Sequence, residues 1–96
     1  MKLILLTRAT DNKHKFTAVI EHTGRIHHVN FGAKGYSDYT MHKDPERKKR
    51  YIKRHASTEN WTVSGVLKPG FWSRWILWNL PSLQRSISDT KHRFKL

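Results

Sequence analysis

The chain has 96 residues, of which 36% are hydrophobic, so it forms one domain with a small core. It contains no cysteine, which excludes disulfide bonds, thiolate zinc sites and cysteine nucleophiles and favours an intracellular or virion setting. Its 19 lysines and arginines against 7 acidic residues give a net charge of +12, which favours a polyanionic partner, most often nucleic acid. An anionic membrane surface, an acidic protein and simple solubility are the alternative explanations of this charge.

Three strands are predicted in the first third of the chain. Lys2 to Arg8 is a short apolar run, and the segments His14 to Glu21 and Arg25 to Phe31 alternate apolar and polar residues. Because the connections between them are short, we expect an antiparallel meander that needs a helix on one face. The lysine and apolar run at the start resemble a signal peptide, but the run ends at Thr7, and we interpret it as a strand.

A glycine-containing segment follows the third predicted strand. Gly32 and Gly35 flank Lys34, and such a loop can offer backbone N–H groups and an ammonium group to a phosphate. It is not a Walker loop, which requires G-x-x-x-x-G-K-[ST]. The structural alternative is a loop that packs Tyr36 and Tyr39 against the core. If exposed, either tyrosine would be free to stack on an unpaired base.

A cationic helix is predicted from Asp44 to about Ala56. Asp44 as N-cap, Pro45 at the first position and Glu46 in the first turn form its start signal. At about 100° per residue, four cations fill an arc of about 140° and a fifth extends its edge. They are Lys49, Arg50, Lys53, Arg54 and, at the edge, Arg47.

Two explanations of this cationic arc are open. A run of like charge is often only a solvated helix face, and here only Glu46 is placed to offset it, by pairing with Arg50. Unpaired like charges at this density are unfavourable without an anion opposite them. We therefore expect the arc to bind an anion.

The stretch Gly70 to Leu83 holds three of the four tryptophans and is predicted to contain the central helix. Its apolar side chains point in nearly every direction, which is typical of a buried helix. About ten apolar-rich residues are too few to cross a bilayer, which needs about 20. The helix ends before Pro81, and Ser82 caps a last helix that runs to Phe94. In the connector before this stretch, Trp61 belongs either to a short edge strand or to an anchor in the core.

Catalytic and metal-binding patterns are weak. The seven histidines lack the paired spacing of known metal motifs, and we predict no metal site and no cofactor. Asp38 and Glu59 have no evident structural task, so a small magnesium-dependent nuclease using Asp38 and histidines remains a third hypothesis. No nucleophile motif such as G-x-S-x-G occurs, and no catalytic residue is predicted.

Three stretches carry a resemblance to known sequences. They are V-N-F-G-A-K-G-Y-S-D-Y-T at 29–40, H-K-D-P-E-R-K-K-R-Y-I-K-R-H at 42–55, and G-F-W-S-R-W-I-L-W-N-L-P-S-L-Q-R-S-I-S-D-T-K-H-R-F at 70–94. In them the chain resembles a family of small uncharacterised proteins of giant DNA viruses, the nucleocytoplasmic large DNA viruses, Marseillevirus-like members included. The resemblance implies a viral origin and a location in the virion or in the cytoplasm or nucleus of an infected cell. It implies no activity and no catalytic residue.

The sequence thus predicts that residues 1–96 form a single basic α+β domain. A small antiparallel sheet of about three strands packs on a central tryptophan-rich helix, with two further helices. The predicted function is non-sequence-specific binding of nucleic acid, DNA in particular. The alternative is a virion structural or interaction protein that docks an acidic viral or host protein or self-assembles, for example as a homodimer. The expected phosphate contacts are Lys34, Arg47, Lys49, Arg50, Lys53, Arg54 and Arg74.

Overall fold

The first third of the chain forms one antiparallel sheet in a computed structural model that describes all 96 residues, Met1–Leu96. Its strands are β1 (Lys2–Arg8), β2 (His14–His22) and β3 (Arg25–Ala33), with β2 in the centre. The predicted antiparallel meander is confirmed. β3 extends beyond its predicted end and includes Gly32.

One face of the sheet supplies half of the hydrophobic core. Side chains alternate between the two faces along a strand, and in β1 an irregularity between Leu3 and Leu5 shifts this alternation by one residue. Five of the ten buried core residues come from this face: Leu3, Ala18, Ile20, Val29 and Phe31. The opposite face is open to solvent, and Leu5 and Ile26 there are 54% and 53% exposed.

The remaining two thirds of the chain are mainly helical. Two longer helices accompany the tryptophan segment, which confirms the predicted α+β fold. No helix combines the length and apolar character that crossing a membrane requires. In chain order the helices are α1 (Tyr39–His42), α2 (Pro45–His55), a 3-10 turn (Val63–Gly65), α3 (Pro69–Trp72), a π-helical segment (Ser73–Leu77) and α4 (Leu83–Phe94).

The tryptophan segment, residues 69–78, lies against the inner face of the sheet and completes the core. Phe71, Trp72, Ile76 and Leu77 are buried, and the Trp72 indole N–H donates to the carbonyl of Val66 at 2.7 Å. The central position that the sequence predicted is confirmed. Its geometry differs from the expected regular α-helix, because α3 widens into π-helical hydrogen bonding after one turn.

α4 packs on the π-helical segment from the other side. Its N-cap is Ser82, as predicted, whose hydroxyl accepts from the Arg85 N–H at 3.2 Å. The buried Thr90 hydroxyl is 3.0 Å from the Trp75 carbonyl, within hydrogen-bonding distance. A side chain of α4 thus contacts a backbone carbonyl in the segment where the regular α-helical hydrogen-bond pattern has ended.

Candidate nucleic-acid interface

α2 begins at the cap that the sequence predicted. The Asp44 carboxylate accepts from the Glu46 N–H at 3.0 Å, and Pro45 occupies the first position. His42 strengthens this junction, because its ring Nδ1 accepts from the Asp44 N–H at 3.0 Å. Burial, followed by the charge of Arg47, lowers the pKa of His42 from its ordinary value of 6.5.

Aromatic stacking fixes the orientation of α2. The buried Tyr51 ring lies parallel to the Trp78 ring with centroids 4.3 Å apart, and the Trp61 ring stacks at 6.2 Å. Burial raises the pKa of Tyr51 to about 12. Because its ring stacks on the buried Tyr51, Trp61 is an anchor in the core and not part of a strand. Lys48 also faces inward and donates to the Asn79 carbonyl at 2.6 Å.

The opposite side of α2 carries five cations, which we call the cationic face. All five side chains are exposed, and none has an acidic partner. The predicted pair between Glu46 and Arg50 is absent, so that prediction was wrong. Of the 19 lysines and arginines in the chain, only Lys15 and Arg93 take part in an ion pair. The cationic face consists of Arg47, Lys49, Arg50, Lys53 and Arg54.

Lys34 lies outside α2, on the turn that follows β3. Its side chain is exposed. Its backbone N–H donates to the Lys13 carbonyl, and the N–H of Tyr36 donates to the Ala33 carbonyl. Those two N–H groups are therefore engaged and do not form the phosphate cradle considered from the sequence. The structural alternative, in which both tyrosines pack against the core, was wrong for Tyr36, which is 73% exposed, whereas Tyr39 is partly buried.

Arg74 lies among tryptophan rings and not on the cationic face. Its guanidinium lies 4.4 Å from the centre of the Trp75 ring and 5.5 Å from that of Trp61. It donates to the Trp78 carbonyl at 2.9 Å, and burial lowers its pKa. These contacts hold the guanidinium among the rings of Trp61 and Trp75, apart from the cationic face.

One of the two acids that lacked an evident task in the sequence has one in the structure. Asp38 is buried, bonds the Lys15 ammonium at 2.5 Å, and caps α1 by accepting from the Thr40 N–H at 2.9 Å. Glu59 lies 3.9 Å from the His55 ring. No group of three or more histidine and acidic side chains is close enough to share a metal ion.

A cleft of about 450 Å³ borders the cationic face and was not predicted. It lies between α2, the end of β3 and the start of α3, and the loop that carries Tyr36 closes one side. Arg47 and Arg54 both line it. Their spacing of seven residues, about two helical turns, was the one available signal that they share a side of α2.

The family comparison covers the sheet and the cationic helix. Residues 4–55 match DUF5754, a family of unknown function, over more than half of the chain. The chain belongs to the DUF5754 family. The DUF5754 match includes all of α2 and ends before the tryptophan segment. No curated protein and no solved structure gave a significant match.

Proposed function

We propose that this DUF5754 protein binds nucleic acid, and DNA in particular, through the phosphate backbone and without sequence preference. The observation that carries the proposal is the cationic face, five exposed lysines and arginines on one rigid helix with no acidic partner. Such side chains bind phosphates irrespective of the bases. Lys34 is exposed on the turn that follows β3 and adds a further contact.

The energetics of α2 support this proposal. Lys49 and Lys53, like Arg50 and Arg54, are like-charge pairs at i and i+4, each destabilising by about 0.2–0.5 kcal/mol. The charges at the C-terminal end are partly favoured by the helix dipole, but those near its start are not. A phosphate backbone lying along the helix would relieve the repulsion. A free solvated face would retain it.

The test is binding to a labelled duplex and a labelled single strand across a salt series. We expect log K to fall linearly with log salt, with a slope near −0.9 per phosphate contacted on duplex DNA. The slope therefore counts the contacts that the cationic face makes. Absence of binding at about 50 mM salt would contradict the proposal, because electrostatic binding is strongest at low salt.

The proposed setting is the virion of a large DNA virus or the cytoplasm or nucleus of its host cell. It is supported by the resemblance of the stretches at 29–40, 42–55 and 70–94, and there the protein would package or handle viral DNA. Mass spectrometry of purified virions and of fractionated infected cells tests it. Detection in either agrees with the proposal, and absence from both contradicts it.

The second candidate is a structural protein that self-assembles. The open face of the sheet favours it, because Ile4, Leu5 and Ile26 are each about half exposed there, at 49%, 54% and 53%. A mass by light scattering above the 11.4 kDa of the monomer, together with no affinity for nucleic acid, would favour this candidate over the first.

A further inference from the structure

The cleft beside α2 has the size of a ligand site. Its volume of about 450 Å³ falls within the range of about 300–1,000 Å³ that small-molecule sites occupy. Leu77 and Trp78 of the tryptophan segment and Gly32 of β3 contribute to its walls. One wall of the cleft is therefore formed by residues in or against the packed core.

The cleft is lined by three cations, Lys15, Arg47 and Arg54, and by two acids, Asp38 and Glu59, so its lining carries a net positive charge. Lys15 is paired with Asp38 at 2.5 Å, and the His55 ring lies 3.9 Å from the Glu59 carboxylate. Arg47 and Arg54, which also line the cleft, have no acidic partner. They lie about 10.5 Å apart along the helix axis and within about 20° of the same direction. Because both arginines line the same cleft, an anion there would lie in the field of both charges.

An exposed aromatic ring faces the same cleft. Tyr36 lines it and is 73% exposed, the most exposed of the large hydrophobic side chains. Its backbone is fixed by a hydrogen bond from its N–H to the Ala33 carbonyl at 3.3 Å. Its ring has no aromatic neighbour, unlike those of Tyr39 and Tyr51. A ring held at the mouth of a cationic cleft suits a flat ligand that carries a phosphate.

We propose that the cleft binds one unpaired nucleotide, with its phosphate on Arg47 and Arg54 and its base stacked on Tyr36. The inference rests on the proposed function, because the same two arginines belong to the cationic face along which a strand would run. A base inside a duplex is stacked on its neighbours and cannot reach the ring. The cleft therefore gives the protein a preference for single-stranded over duplex nucleic acid.

The first experiment compares a 15-residue oligothymidylate with a duplex of equal length, using the Tyr36→Leu and Tyr36→Phe variants. We expect Tyr36→Leu to bind the single strand about tenfold more weakly and the duplex as wild type does. Tyr36→Phe keeps the ring and should retain affinity for both. Wild-type affinity of Tyr36→Leu for the single strand, or an equal loss on both substrates, would overturn the inference.

A matched pair of charge variants separates the cleft from the rest of the cationic face. Two double variants remove the same charge from the same helix. The arginine pair is Arg47→Gln with Arg54→Gln, and the lysine pair is Lys49→Gln with Lys53→Gln. Both should weaken duplex binding to a similar degree. Only the arginine pair should abolish the preference for the single strand. Loss of that preference in the lysine pair as well would overturn the assignment of the phosphate to Arg47 and Arg54.

Competition with thymidine 5′-monophosphate identifies the source of the nucleotide. If the monophosphate displaces the strand, the cleft accepts a free nucleotide. If it does not, while strand binding still depends on Tyr36, the cleft accepts only a nucleotide that is part of a strand. Tyr36-dependent nucleotide binding without any duplex affinity would contradict the proposed function and support the cleft. Salt-dependent duplex binding without Tyr36 dependence would support the proposed function and overturn the cleft.

Discussion

At the scale of single residues, His42 couples the start of α2 to pH. Its Nδ1 accepts a hydrogen bond from the Asp44 N–H, so that nitrogen must be unprotonated in the folded protein. Burial and the neighbouring Arg47 lower its pKa below 6.5, while the carboxylates of Asp44 and Asp38 oppose the shift in part. Protonation therefore breaks the hydrogen bond and brings a cation into a partly buried position.

We predict that His42 makes the protein less stable in mild acid. Because its pKa is lower in the folded than in the unfolded state, the unfolded chain takes up the proton first as the pH falls below about 6.5. The free energy of unfolding should then decrease as the pH falls below this value. Urea denaturation should show a smaller decrease for His42→Asn, whose amide oxygen accepts the same bond. An equal decrease in both proteins would exclude His42 as the cause.

Arg74 illustrates what the sequence could not resolve at this scale. Its position among tryptophans was visible, but the stacking of its guanidinium on Trp75 depends on where α3 widens and where Trp61 docks. Asp38 likewise has no sequence signal for its burial, since its partner Lys15 is 23 residues away. Local capping signals, by contrast, identified Asp44 and Ser82 correctly.

At the scale of elements, β3 and the tryptophan segment meet at Gly32. A Cβ added there would lie 2.7 Å from Leu77 Cδ1, at a φ of +78°. Gly24, in the turn between β2 and β3, has nearly the same φ, +76°, but nothing lies within 4 Å of an added Cβ. The two positions thus differ in packing and agree in backbone conformation.

We predict that Gly32→Ala is more destabilising than Gly24→Ala. Both variants meet the left-handed conformation, which costs about 1–2 kcal/mol for a residue with a Cβ. Gly32→Ala also forces Leu77 aside, which adds about 1–3 kcal/mol. Urea denaturation of the two variants measures the difference. Equal losses would mean that β3 and the tryptophan segment are not in close contact at Gly32.

The elements themselves were largely predictable from local patterns. Alternation of apolar residues indicated the three strands, and the Asp44 cap with Pro45 indicated α2, because these signals lie within a few residues of one another. The π-helical geometry of residues 73–77 was not predictable, since no residue in that stretch requires it. The cleft was also missed, because it forms between elements that are distant in the sequence.

At the scale of the whole molecule, the large net positive charge repels itself and so opposes the compact fold. The radius of gyration is 12.7 Å, close to the value of about 12.5 Å expected for one domain of this length. A net charge of +12 is held on this small body, and only two lysines or arginines are in ion pairs with acids. Self-repulsion of this kind is relieved by a polyanion. Binding of a polyanion can depend either on the net charge of the protein or on the particular cations of the cationic face, and the two make different predictions.

The most direct way to distinguish these two explanations is to measure duplex binding by two charge-reversed variants. Each has four cations changed to glutamate, so the two variants have equal net charge. The first is changed on the cationic face, at Lys49, Arg50, Lys53 and Arg54. The second is changed at four exposed cations elsewhere, at Lys2, Arg25, Arg85 and Lys91. Circular dichroism verifies that both fold.

At about 50 mM salt we predict that the first variant no longer binds and that the second keeps most of its affinity. This result would place the phosphate contacts on the exposed side of α2. Equal affinity of the two folded variants would contradict the account, since binding would then depend on net charge and not on the surface that α2 presents.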